Sequence, residues 1–100
     1  MRKDLWGKIF VRDKNIVARK IAGELFLVPV RGKLADMEEI FTLTAVAEFI
    51  WDRLDGRVSL EQVRDDVLMQ FDVDRENADS DIREFIEQLV ERGLLREGTI

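Results

Sequence analysis

The 100-residue chain contains no cysteine, no histidine and no tyrosine, and only one proline. Without Cys or His there is no thiol nucleophile, no Ser–His pair, and no thiolate or imidazole to hold a metal. A disulfide framework is excluded too, so stability must come from the core. The only serines, Ser59 and Ser80, have no base beside them in sequence. The glycines are scattered at turns and form no loop that would cradle a phosphate. Long apolar runs are missing as well. Leu25 to Val30 is the longest, is interrupted by Pro29, and falls far short of the ~20 residues that span a bilayer. Met1 to Phe10 carries Arg2, Lys3, Asp4 and Lys8 and lacks the apolar stretch of a signal peptide. The expectation is a soluble cytoplasmic protein with no cofactor, no metal and no membrane segment, which is not an enzyme.

An apolar share of 46% and a charged share of 37% suit one globular domain over residues 1–100. The formal charge of −5 is unevenly spread: residues 1–33 carry net +6 and residues 34–100 net −11. Solvated faces account for much of this, and a basic sheet beside an acidic helical body would also orient a charged partner. The densest carboxylates are Asp65-Asp66 and Asp79/Asp81. The first pair lies off the apolar stripe of its helix and should be solvated. The second suits the positive end of a helix. Neither forms a catalytic acid pair on this reading. Asp72 to Glu76 begins like a calcium loop but lacks the glycine and the spaced glutamate that such a loop needs.

From Ile9 to about Leu43 the apolar residues are β-branched or aromatic and come in bursts. Ile16–Ile21 and Leu25–Val30 flank Ala22-Gly23-Glu24, which predicts a hairpin turning at Gly23. Met37–Leu43 is a candidate third strand. From Thr44 the period becomes helical. Val46, Ala47, Ile50, Trp51 and Leu54 form one stripe, with Gly56 placed to cap its end. Ser59 and Gln62 make a capping box for a second helix, with Val58 and Val63 at the staple positions. A third helix starts between Asp74 and Ala78, presents Ala78, Ile82, Phe85, Ile86, Leu89 and Val90, and stops at Gly93. Leu94-Leu95 then returns to the core. The predicted class is α+β: an N-terminal hairpin or three-stranded antiparallel sheet packed on a three-helix bundle. Trp51 reads as core, whereas Trp6 either packs back on the sheet or marks a contact surface.

The run from Phe41-Thr42-Leu43-Thr44 through Phe49-Ile50-Trp51 to Leu54-Asp55-Gly56 resembles the central segment of PqqD-like proteins. Val58 to Val63 fits the next helix of that family. Phe71-Asp72-Val73, Asp81-Ile82, Phe85-Ile86, Leu89 and Gly93-Leu94-Leu95 fit its last, and Val17-Ala18-Arg19 with Gly23-Glu24 match its hairpin. The likeness covers roughly residues 9–96. It departs at Thr44 and Ala47, where the family favours Asn and Gly, while Val46 stands where it favours Thr or Val.

The resemblance implies a winged helix-turn-helix fold used as a precursor-peptide recognition element. Such a domain binds the leader of a ribosomally made peptide and presents it to a modifying enzyme, often a radical S-adenosylmethionine enzyme, doing no chemistry itself. An exposed strand edge accepts an extended peptide by main-chain pairing, and side-chain pockets supply specificity. Glu39, Ile40, Phe41, Thr42 and Leu43 are the strand candidates for that site. Ile82, Ile86 and Val90 are the helix candidates, with Arg83 placed to meet an acidic leader residue. A short edge strand also offers a route to a homodimer. Two other readings compete. One is a winged-helix DNA-binding protein, but the second helix has one basic residue against three acidic ones and the third has three against seven. Neither suits a DNA groove. The other is a docking subunit that holds an enzyme without touching peptide.

Overall fold

The computed structural model describes residues 2–29 and 41–98. A 3₁₀ turn at Arg2–Gly7 leads into β1 (Ile9–Arg12), β2 (Ile16–Ile21), β3 (Glu24–Pro29) and β4 (Phe41–Leu43). Helix α1 (Ala45–Arg53), strand β5 (Asp55–Ser59), helices α2 (Leu60–Gln70) and α3 (Arg75–Glu91), and strand β6 (Leu95–Glu97) follow. The class is α+β, with two three-stranded antiparallel sheets among the described residues where one was expected.

The expected hairpin is the β2–β3 pair, in register from Ile16 opposite Pro29 to Ile21 opposite Glu24. Its loop is only Ala22-Gly23, with φ of +54° and +86°. Positive φ at both central positions matches the right-handed twist of the flanking strands. Glu24 therefore belongs to the strand, and the turn is tighter by that residue. β4 adds to β3 with Leu25 opposite Leu43 and Leu27 opposite Phe41. It thus takes one edge of the order β2-β3-β4. Met37–Ile40, the first part of the expected third strand, lies outside the described residues. Pro29 sits at the end of β3, past the stretch that pairs with β4, where its missing N–H leaves that ladder intact.

The second sheet has order β5-β1-β6 and is assembled from three distant pieces of chain. It corrects the reading of Gly56 as a helix cap. The α1 cap is Leu54, whose N–H donates to the Trp51 carbonyl at 3.2 Å and whose side chain is buried. Gly56 instead lies inside β5 at φ +82°, and a Cβ there would sit 3.6 Å from Val11. The register between β1 and β5 slips between Ile9–Ser59 and Val11–Asp55, so this positive φ belongs to an irregularity that bends β5 across β1.

The helix starts follow their side chains. The Thr44 hydroxyl accepts from the Ala47 N–H at 3.1 Å, and that of Ser59 from the Gln62 N–H at 3.2 Å. Each bond satisfies one of the orphan donors of a first turn. α3 closes as expected at Gly93, φ +78°. The Gly93 N–H donates to the Val90 carbonyl and the Leu94 N–H to that of Leu89, the paired bonds of a Schellman stop. This turn drives Leu94 and Leu95 into the core, each 2% exposed. There Phe10, Leu27, Leu43, Ile50, Trp51, Val63, Ile82 and Leu89 belong to one buried cluster that joins both sheets to all three helices.

Candidate functional site

A groove of about 580 Å³ opens immediately after β4, between the first turns of α1 and the outer side of α3. Its floor is Ile50, Val67, Ala78 and Ile82, all buried. Val46, Ala47 and Phe85 form half-buried walls, and Val73 stands exposed at one end. Asn77, Asp81, Glu84 and Gln88 provide an exposed polar rim from α3, and Thr44 one from α1. The periodicity of α3 explains the set. Ala78, Asp81, Ile82, Phe85 and Gln88 recur at three- and four-residue intervals and share one side of the helix. Thr44 fixes the opposite wall, because its capping bond sets where α1 begins.

The strand candidates divide as follows. Glu39 and Ile40 lie outside the described residues. Phe41, Thr42 and Leu43 form β4, which pairs with β3 alone among the described residues. Thr42 is exposed, whereas Leu43 points into the core at 7% exposure.

The helix candidates divide across α3. Ile82 is 1% exposed and forms both core and groove floor. Ile86 is equally buried but faces the other way, lining with Val90, Leu5 and Phe10 a smaller hollow of about 300 Å³. Val90 is 43% exposed there. The Arg83 guanidinium lies 5.6 Å from the Trp6 ring centroid, away from the groove. Phe85, Asp81 and Gln88 line the groove and were not among the expected site residues. The signal for Phe85 was present, since it belongs to the apolar stripe, but periodicity alone does not say which part of a stripe stays uncovered.

Trp6 is half-buried. It joins the core from the α2–α3 side, under Arg83 and under Arg64 at 4.9 Å. Arg64 is the buried charge of the molecule's described part, 5% exposed within α2. It is ringed by Asp79 at 3.3 Å, Asp65 at 3.5 Å and Glu61 at 3.7 Å. Desolvating a guanidinium is costly, and several carboxylates together offset that cost. Asp79 therefore has a partner as well as a favourable place at the start of α3. Asp66, expected to be solvated, is held between Arg53 at 3.2 Å and the Gln62 amide at 3.0 Å. These pairs brace the α1–α2 and α2–α3 contacts and stand apart from the groove lining. Among the described residues no cluster of acidic side chains is gathered to hold a metal ion, and no helix is long and apolar enough to cross a membrane.

Comparison with curated protein sequences returns no match. Among solved structures, TbiB1 in complex with the TbiA(beta) leader peptide is similar, with 26% identity and a TM-score of 0.68 over 86% of this chain and 94% of that one. Lasso peptide synthetase B1 complexed with the leader peptide shares the fold, with 22% identity and a TM-score of 0.69 over 87% of this chain and 96% of that one. The model of the family described as coenzyme PQQ synthesis protein D matches residues 24–95, a span that includes β3, β4, all three helices and the groove between them, and on that match this chain belongs to the PqqD family.

Proposed function

We propose that this protein is a non-catalytic recognition domain. It binds the leader of a ribosomally synthesised precursor peptide and presents it to a modifying enzyme, with a radical S-adenosylmethionine enzyme the class the family suggests. The observation that carries the proposal is an edge strand, β4, beside an apolar groove on a member of a family whose solved relatives hold leader peptides. The leader adds a strand to β4, exchanging main-chain hydrogen bonds that any sequence supplies. Its side chains enter the groove, where full burial of one leucine-sized group contributes about 2 kcal/mol. Phe41, Thr42 and Leu43 serve as the pairing strand. Ile82 and Phe85 are the seat on α3, and Val46 is the seat on α1. The described chain acts as one domain, needs no cofactor, and works in the cytoplasm where precursor peptides are made. Acidic α2 and α3 weigh against a DNA groove as the target.

The test is a chemical-shift titration of the labelled full chain with the leader of the precursor encoded beside its gene. Backbone shifts should concentrate in residues 41–46 and 77–88. Shifts confined to α2, or to the hollow around Leu5 and Val90, would overturn the site. Sedimentation of the free and titrated protein separates a second outcome: a dimer that dissociates on adding leader means that a second copy competes for β4.

A further inference from the structure

The charged rim of the groove is acidic, like the helical half of the molecule that carries it. Its charged lining residues are Asp81 and Glu84, and among the described residues no lysine or arginine lines it. Both carboxylates are exposed, and neither has an ion-pair partner among the described residues. Other acids close by are engaged: Glu48 with Lys20, Asp66 with Arg53, Asp79 with Arg64 and Arg75. The cation next in sequence, Arg83, is held over Trp6 on the opposite side of α3. Asp81 and Glu84, three residues apart on one helix, stand as neighbours whose like charges repel.

Resting on the reading of this groove as the leader site, we propose that its guest is a basic-apolar segment. An extended peptide seats an apolar side chain between Val46 and Phe85 and sets a lysine or arginine against Asp81 and Glu84. Main-chain pairing with β4 is blind to sequence, and an apolar seat accepts any side chain of suitable size. The carboxylate rim supplies what both lack. It fixes the register of the guest by one charge, and it repels acidic segments that would otherwise pair equally well.

The experiment is a selection of random short peptides, displayed as fusions, on the immobilised full chain at low salt. Retained sequences should be enriched in Lys or Arg at a fixed spacing from an apolar residue. The double variant Asp81→Lys/Glu84→Lys should shift that enrichment to Asp or Glu. For one synthetic peptide from the first pool, the dissociation constant should rise about fivefold against the double variant, as expected for a half-screened ion pair replaced by a repulsion. It should recover when the peptide's own basic residue is changed to Glu, and the difference should shrink at high salt.

An unchanged pool in the double variant overturns the charge inference. Two further variants keep the groove itself under test: Val46→Trp, which fills it, and Phe85→Ala, which strips its wall should the first fail to fold. If these lose the peptides while the charge variant does not, the groove stands and the charge rule falls. If they retain the same peptides as the unaltered protein, the groove reading falls with it.

Discussion

The two sides of α3 are built from the same stripe of residues and end up with different surroundings. One side, with Arg83, Ile86 and Val90, meets the N-terminal segment: Trp6 takes the guanidinium, and Leu5 and Phe10 lie near the two apolar chains. The other side, with Ala78, Asp81, Ile82 and Phe85, meets α1 across a gap wide enough to hold peptide side chains. What separates them is where the rest of the chain returns. The 3₁₀ turn and β1 reach the first side, and β1 is locked there between β5 and β6. On the second side α1 begins beyond Thr44 and stands off. An amphipathic stripe thus fixes that a helix is covered, while the topology of distant segments decides which part of it becomes core and which part becomes groove.

Adjacent residues on the two sides give the sharpest test of this division. Ile86 is 1% exposed, and Ile86→Ala leaves a cavity that the surrounding side chains refill only in part. The expected cost is about 3 kcal/mol of folding stability, read as a lower urea midpoint at unchanged slope. The variant that remains folded should bind leader as the unaltered protein does. A loss of affinity at full helical signal would mean that the two sides are coupled and that the comparison fails.

Phe85 should show the reverse pattern. It is half-buried against the core and forms the α3 wall of the groove. Phe85→Ala removes a wall that a guest would cover, so affinity for the leader should fall about tenfold, close to 1.4 kcal/mol. The urea midpoint should move less than for Ile86→Ala, because the ring is not fully buried. Calorimetric titration supplies the first number and denaturation the second. A large stability loss with affinity unchanged would assign Phe85 to the core and remove the α3 side of the site.

The same division explains what was legible in the sequence. The β2–β3 hairpin, the Ser59–Gln62 cap and the Gly93 stop are each written within a few neighbouring residues, and each is present. The β5-β1-β6 sheet was not legible. Its strands are four, five and three residues long, and their partners lie some forty or more positions away, so no local period announces them. That sheet is also why Gly56 reads as a cap in isolation and proves to be a bend in a strand. Arg64 was invisible for a related reason. It interrupts the apolar face of α2 between Leu60 and Val67, and only Trp6 and Asp79, brought in by other segments, turn it into a buried residue. At the candidate site, a short third strand was legible as β4, which lies at one edge of its sheet among the described residues. The helix half could be narrowed to a stripe but not divided, because the segment that covers Ile86 precedes that residue by some eighty positions.

Val90 carries the smallest expected effect and tests the comparison from its open end. It belongs to the apolar stripe, it is 43% exposed, and it lies on the side turned toward Leu5 and Glu97. Val90→Lys places a cation in the last turns of α3, where the helix dipole favours it, beside Glu87 and Glu91. Stability should stay within about 0.5 kcal/mol of the unaltered protein, as is usual for a surface exchange without lost packing. Leader affinity should not change at all, since the groove lies on the far side of the helix. A fall in affinity here, with Phe85→Ala silent, would transfer the guest from the groove beside α1 to the hollow beside β1, where β6 rather than β4 would be the strand at hand to receive it.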